Sequence, residues 1–401
     1  MKTLCDKYAR KLVEQGLCEA DTPLVGGLDA ELEWNRQDPR IAVLAPLFDL
    51  LPINSLVFAP PAQPYATIID YLAKPAPGAP PIASLRPDDT ETRTFLHDIP
   101  ICPEFSATAM AAALSRRKAA IIPGHGIVSC GTVSPEQGFV HYSSTVFACF
   151  VLFFGRYLAQ ARQGDPDAGL SAAFEAVVPR LAPPHDAPPT LSTAPLDSED
   201  AILAAMAEAG RAVVGYGLVD SFFGNISCLL GEDIYISQTG SSLDELEGCI
   251  DRCPMDGSST AGLTASSELT AHEDVYRRAD VRCILHGHPR FSVIMSMDCD
   301  RDDCADRGKC HLKCTQCRTV EGIPIVPGEV GTGPTGLCNT LPPALASAGA
   351  AIVHGHGLFT SGRDCFGDAF ATLLDAENRC RREYFRRVRE LLGRTAPPAC
   401  S

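Results

Sequence analysis

Basic residues are in short supply in this chain of 401 residues. Lys and Arg number 34 against 49 Asp and Glu, a net charge of −15. That deficit excludes a nucleic-acid partner, because gripping a phosphate backbone takes clustered cations. Long apolar runs are also lacking. The longest, residues 146–154, has nine members. A bilayer span takes about 20 residues, so this run predicts a buried helix and no membrane partner. Residues 1–17 are charged and have no apolar core. They do not resemble a secretion signal, which points to a cytoplasmic location. Hydrophobic residues still make up 45% of the chain, enough to bury real cores, and the length favours two domains over one.

Cysteine, by contrast, is plentiful, with eighteen in all. Without an export signal, disulfides are the less expected use. Cys299, Cys304, Cys310, Cys314 and Cys317 crowd into nineteen residues, with His311 among them and a C-x-x-C pair at the end. They form a candidate second metal or cluster site. A structural zinc held by four thiolates would fold a stretch too polar to fold itself. An iron–sulfur cluster competes with that reading, and so do plain free thiols.

A proline-rich stretch covering 181–196 reads as a linker between residues 1–180 and 197–401. Similar signals recur on its two sides in the same order. Tyr8 to Leu17 resembles Ala209 to Leu218, and Ile121 to Ile127 resembles Ile352 to Leu358. Gly16 and Gly126 are 110 positions apart, and Gly217 and Gly357 are 140 apart; the cysteine-rich insertion, about residues 298–320, accommodates most of the difference. A repeat this long implies a duplicated domain. In the second half, helices are predicted over 197–215, 266–278 and 368–392. Strands are predicted over 233–237, 281–285 and 350–353, and the interleaving implies an α/β domain.

Glu268, His286, His288 and His356 are the chemical centre of this half. In an extended segment His286 and His288 point to one side, and His356 after another strand can close a triangle. Three imidazoles with a vacant position suit a catalytic zinc; a closed structural site would have four protein ligands. Glu268 can then serve as ligand, as base, or as each in turn. Ser266 and Ser267, at a predicted helix start, are either a plain cap or an anion contact.

The second half resembles the class II aldolase/adducin family. The resemblance is carried by Gly224-Asn225-Ile226-Ser227, Thr239-Gly240, Ser266-Ser267-Glu268 with His272 and Tyr276, His286-Gly287-His288-Pro289, and His356-Gly357. It implies an α/β/α domain with a largely antiparallel central sheet, and with the repeat, two such domains in tandem. It implies zinc on His286, His288 and His356, with Glu268 as acid/base. By the same resemblance, Gly224 and Asn225 meet a substrate carbonyl end, while Thr239, Gly240, Ser266 and Ser267 hold its phosphate. The implied activity is that of an aldehyde-lyase. It would cleave or form a carbon–carbon bond in a phosphorylated sugar or hydroxy-carbonyl compound, through an enediolate. A dehydratase or epimerase using the same chemistry is the alternative, followed by a non-catalytic adducin-like scaffold. The resemblance also implies a homo-oligomer, with two two-domain chains forming a pseudo-tetramer.

The first half has lost this set. Aligning residues 56–61 with 284–289 puts Phe58 and Pro60 in the places of His286 and His288. Gly27-Leu28 then replaces Gly224-Asn225, Arg40 stands where a carboxylate would match Glu268, and His125 alone survives. The run 331–336 fits G-x-G-x-x-G, but Pro334 inside it and Pro342-Pro343 beyond it argue against a dinucleotide loop and for a substrate-side loop.

Overall fold

The computed structural model describes residues 1–75, 80–164, 166–219, 223–301, 303–314, 316–328 and 333–393. Gly331 and Thr332 of the glycine-rich run, and residues 394–401 of the expected second domain, lie outside them. The chain divides into two units, Met1–Ala182 and Pro183–Ser401.

The first unit contains α1 (Lys2–Glu14), β1 (Leu24–Leu28), β2 (Leu32–Trp34), α2 (Ile41–Leu44), α3 (Leu47–Leu50), β3 (Ser55–Ala59) and α4 (Tyr65–Ala73). After these come β4 (Ser84–Leu85), α5 (Thr90–Leu96), β5 (Ile99–Pro100), α6 (Ala107–Leu114), β6 (Ala119–Ile122), β7 (Gly126–Gly131), α7 (Pro135–Arg162) and α8 (Ala168–Val177). Five strands make an antiparallel sheet in the order β2-β1-β3-β7-β6. One face packs Leu24, Leu56, Phe58 and Val128 against Leu44, Leu47 and Met110. The other is covered by α1 and α7, and α4 packs against α7. By length and composition α7 is apolar enough to cross a membrane. Its apolar residues run all round the helix because it is buried within the unit on nearly every side, the expected fate of the run 146–154.

The second unit opens with α9 (Glu199–Gly215), which Ser198 caps by accepting from the Ala201 N–H at 3.4 Å. There follow β8 (Asn225–Leu230), β9 (Asp233–Ser237), β10 (Ile250–Pro254), α10 (Leu269–Arg278), β11 (Cys283–Gly287) and α11 (Arg290–Met297). The remaining elements are β12 (Arg318–Val320), β13 (Ile323–Val326), α12 (Leu337–Ala348), β14 (Ala350–Val353), β15 (Gly357–Gly362) and α13 (Phe366–Leu391). Eight strands lie in the order β10-β9-β8-β11-β15-β14-β13-β12. Every pairing is antiparallel except β13 with β14. Helices α10 and α12 cover one face and share its core with Ile284, Val353 and Phe359. The other face carries α9, α11 and α13. This is the α/β fold that the strand and helix alternation implies, with the largely antiparallel sheet that the family resemblance implies.

Three boundaries differ from the sequence expectation. Strand β11 extends to Gly287, so His286 lies inside the strand, held by ladder bonds to its neighbours. Helix α10 begins at Leu269, which makes Glu268 its capping position and leaves Ser266 and Ser267 in the segment before it. Pro342 and Pro343 sit inside α12, where the sequence reads them as punctuation.

The order β2-β1-β3-β7-β6 has the same sequence logic as β9-β8-β11-β15-β14, each starting after a helix and ending in a hairpin. The registers agree as well. Phe58 pairs with Leu24 and Val128, as His286 pairs with Asn225 and Phe359. In this register Leu24 holds the place of Asn225. The sequence alignment had put Leu28 there, four residues too late.

Candidate metal centre

Strand β11 delivers His286, and the chain just beyond its end delivers His288. The turn between β14 and β15 delivers His356, and the start of α10 delivers Glu268. The imidazole Nε2 of His286 lies 3.0 Å from that of His288 and 3.2 Å from that of His356. Glu268 reaches the same point, with Oε1 3.2 Å from His356 Nε2 and Oε2 3.6 Å from His286 Nε2. All four side chains are buried.

Two glycines make room for this convergence. Gly224 has φ +86°, and a Cβ there would stand 2.4 Å from the His286 carbonyl oxygen. Gly357 brings backbone against the rings, since a Cβ on it would meet His286 Cε1 at 2.6 Å and His288 Cδ2 at 2.9 Å. Both sites need glycine for close approach, and Gly224 also for its left-handed backbone.

Each ring is held from behind. The Leu358 carbonyl lies 3.2 Å from His286 Nδ1, which therefore carries the proton and leaves Nε2 as a bare lone pair. His286 stacks on Phe359 at 3.8 Å, and His288 stacks on Phe223 at 5.5 Å. Gly355, beside His356, donates its N–H to Ser296 Oγ at 2.8 Å. Glu377 of α13 accepts from the N–H groups of Phe291 and Ser292 and from the Ser292 hydroxyl, each at 2.8 Å. That carboxylate caps α11, the helix that starts two residues after His288. Below the site Ser227 Oγ lies 2.7 Å from both His272 Nδ1 and Tyr276 Oη, a fully buried polar network consistent with a structural His272.

Charge follows from burial. Burial pulls His286 down to about 4 and His288 well below its ordinary value, so these two rings are neutral near pH 7. Burial alone would raise the Glu268 carboxyl. The His286 and His356 rings and the Asn225 amide outweigh it and hold Glu268 well below the usual carboxylate range. Asn225 Nδ2 donates to Glu268 Oε2 at 2.5 Å, while Asn225 Oδ1 and His288 Nδ1 are buried without partners. Among the described residues, His286, His288 and His356 are the one set of three ligand atoms within 4.8 Å of one another. Imidazole nitrogens facing a common point, with a carboxylate alongside, fit a zinc ion and are poorly satisfied by each other.

The sequence-selected substrate residues cluster near this point. Gly224 and Asn225 lead into β8. Thr239 Oγ1 donates to the Ala265 carbonyl at 2.9 Å, and the Ser266 N–H donates to the Ser237 carbonyl at 3.0 Å. The Thr239-Gly240 and Ser266-Ser267 segments are thus neighbours, with Ser266 buried and Gly240 and Ser267 exposed. Ser266 Oγ accepts from the Glu268 N–H at 3.3 Å. The five cysteines 299–317 do not converge with the histidines. Sequence reasoning missed Phe359, Ser296 and Glu377. Their only sequence signals were a strand-alternation position, a helix end and an acid on a predicted helix.

A family model described as the Class II Aldolase and Adducin N-terminal domain matches residues 204–384. No curated protein matches the chain. Among solved structures, the chain is similar to L-fuculose-1-phosphate aldolase from Thermus thermophilus. The identity is 22% and the TM-score 0.39, over 49% of this chain and 98% of that one. It is also similar to YgbL from Klebsiella pneumoniae, at 19% identity and TM-score 0.38, over 48% and 99%. YgbL from Escherichia coli gives 18% and 0.37, over 48% and 99%. The matched stretch, residues 204–384, contains all four converging side chains and is similar to the class II aldolase and adducin family.

Proposed function

We propose that the second unit is a zinc-dependent aldehyde-lyase acting on a phosphorylated sugar or a related hydroxy-carbonyl compound. The observation that carries this reading is the buried convergence of Glu268 with three imidazoles. His286, His288 and His356 would hold the metal. Zinc, when bound there, supplies Lewis-acid polarisation of a substrate oxygen. The chain's own residues do the rest. Ionised Glu268 takes the proton from the β-hydroxyl as the carbon–carbon bond breaks. The aldehyde leaves, and the electron pair stays on the other fragment as an enediolate. Glu268 then returns the proton to that carbon. Asn225, whose Oδ1 is unpartnered, is suited to a substrate hydroxyl. Thr239, Gly240, Ser266 and Ser267 form one neighbourhood suited to a phosphate.

A dehydratase or epimerase would use the same proton transfers, and a glutamate at 268 favours aldolase or dehydratase chemistry. A scaffold reading gains nothing from buried, mutually unsatisfied imidazoles. The first unit is proposed to be a copy that has lost the site. Its strand order and register support this, as does the Arg40 guanidinium lying 5.5 Å over the Phe58 ring, at the place of the paired histidines. An oligomer built from two such chains, in the cytoplasm, completes the proposal. The seventeen described cysteines, all free thiols, are compatible with that compartment.

The test is a screen of zinc-loaded protein against sugar phosphates for aldehyde release. Glu268→Gln should retain zinc by metal analysis and lose turnover by at least about 10²-fold, the scale of a lost general acid–base group. Full activity in that variant would refute the role of Glu268.

A further inference from the structure

Cys228 and Cys283 face each other across two neighbouring inner strands. They are direct partners in the antiparallel register of β8 and β11, and such partners carry their side chains on the same face of a sheet. The step beside them is bonded, the Leu229 N–H donating to the Arg282 carbonyl at 2.9 Å. Bonded and non-bonded pairs alternate along an antiparallel ladder. Cys228 and Cys283 are therefore a non-bonded pair, the kind with the closer side chains and Cα atoms about 4.5 Å apart. A disulfide spans Cα separations of about 4.4–6.8 Å. Both residues are fully buried. Ile284 belongs to the core under α10 and α12. Alternation turns Cys283 and its partner to the opposite face, beneath α9 and α13. There the Cys283 thiol donates to Cys228 and, with the nearby Arg282 guanidinium, holds that thiol below its ordinary value against burial; the same bond and burial raise Cys283.

Among the described residues no other two cysteines are register partners. Both thiols are free, so the resting pair is a dithiol. The pair also lies close to an end of the ladder. Cys283 is the first residue of β11, and Val281 and Arg282 before it are half-buried, as are Leu229 and Leu230 after Cys228. Strand ends open locally at far lower cost than the whole sheet. A molecule little larger than water can reach the two sulfurs from that end.

We propose that Cys228 and Cys283 are an oxidation site built into the sheet, a dithiol that hydrogen peroxide converts to a cross-strand disulfide. The Cys228 sulfur attacks one peroxide oxygen and the O–O bond breaks. The departing hydroxide leaves as water with the Cys228 proton, and Cys228 becomes a sulfenic acid. The Cys283 sulfur then attacks that sulfur and the S–O bond breaks. The second hydroxide leaves as water with the Cys283 proton, and the S–S bond remains. Two thiols are oxidised as one peroxide is reduced to two waters. A resolving thiol in contact stops the oxidation at this reversible stage, ahead of the irreversible sulfinic and sulfonic acids. The bond also closes the stretch between positions 228 and 283, which carries Glu268, onto the strand that carries His286. His286 and its partner Asn225 lie three steps along the same ladder. The role of the pair is to keep that ladder joined, and its core free of bulky sulfur acids, while oxidant is present.

The test treats the full, folded chain with hydrogen peroxide, quenches with catalase, unfolds it in an alkylating reagent and maps the digest by mass spectrometry. The Cys228 and Cys283 peptides should be recovered as one linked species that dithiothreitol separates, with the far-ultraviolet circular dichroism unchanged by the peroxide. In a Cys283→Ala variant Cys228 has no resolving partner, and capture of its sulfenic acid by dimedone should rise at least about tenfold over the unmodified chain. Recovery of both residues as alkylated thiols after peroxide would overturn the proposal. So would a link from either to a different cysteine, or a link that forms only once the far-ultraviolet signal is lost. Equal dimedone capture in the two chains would overturn the resolving role of Cys283. The peptide map of the unmodified chain does not depend on any variant folding. No metal or substrate enters these measurements, so their outcome is separate from that of the proposed activity.

Discussion

At the scale of single residues, Gly357 shows how little slack the proposed metal centre has. A Cβ at this position would stand 2.5 Å from the Gly287 carbonyl oxygen, besides meeting two imidazoles. Neither ring can retreat, because His286 is stacked on Phe359 and His288 on Phe223. Gly357→Ala should therefore spread the three nitrogens and weaken zinc binding at least about tenfold, with overpacking costing about 1–3 kcal/mol of stability. A competition titration with a chromogenic chelator reads the first effect and thermal melting the second. Unchanged zinc affinity would mean that the rings have other room to move. His286, His288, His356 and Glu268 were legible in the sequence because residue type and order carry them. Phe359, Ser296 and Glu377 were not, because their roles arise only from long-range pairing. Glu377 caps a helix 85 residues earlier in the chain, and no local pattern announces such a bond.

At the scale of elements, α11 links chemistry to scaffold. It begins just after His288, and its last turn supplies Ser296 to the His356 turn. Its N-terminal N–H groups have no partner within the helix and are satisfied by the Glu377 carboxylate. Glu377→Ala should cost about 1–3 kcal/mol, the penalty for leaving buried donors unpaired. It should lower the melting temperature and loosen zinc together. If melting falls while zinc affinity holds, α11 does not set the position of His288. Element boundaries were the less legible part of the fold. Strand β11 runs two residues past its apolar stretch because β8 and β15 pair with His286 from both sides. Helix α12 tolerates Pro342 and Pro343, whose neighbours Leu341, Ala344 and Leu345 are buried in the core. In both cases tertiary contacts override the local signal. The late start of α10 has a chemical result: Glu268 sits at the helix boundary with its carboxylate turned to the imidazoles, and the first N–H groups of the helix lie beyond Ser266 and Ser267.

At the scale of the whole molecule, two units share a strand order and a register but differ in what fills the equivalent positions. In the first unit Phe58 is buried in the core and pairs with Leu24. His125 is exposed and stacks on Phe105 at 5.1 Å. The shared strand order was visible in the sequence through its glycines and hairpin signals. The register shift from Leu28 to Leu24 was not, because strand pairing decides it and both residues are leucine. In the second unit His286 lies 72 residues from Leu358, the carbonyl that fixes its tautomer, and 70 from His356.

The turn that presents His356 therefore has a consequence for timing. No ligand triangle exists until β15 has closed onto β11 across that sequence separation, and such non-local closures are slow steps. Metal capture becomes a clock for the last stage of assembly. In refolding from denaturant with a zinc indicator present, helix signal should return first and uptake at the histidine centre should lag behind it. Simultaneous recovery would mean that the three rings meet before the sheet is complete.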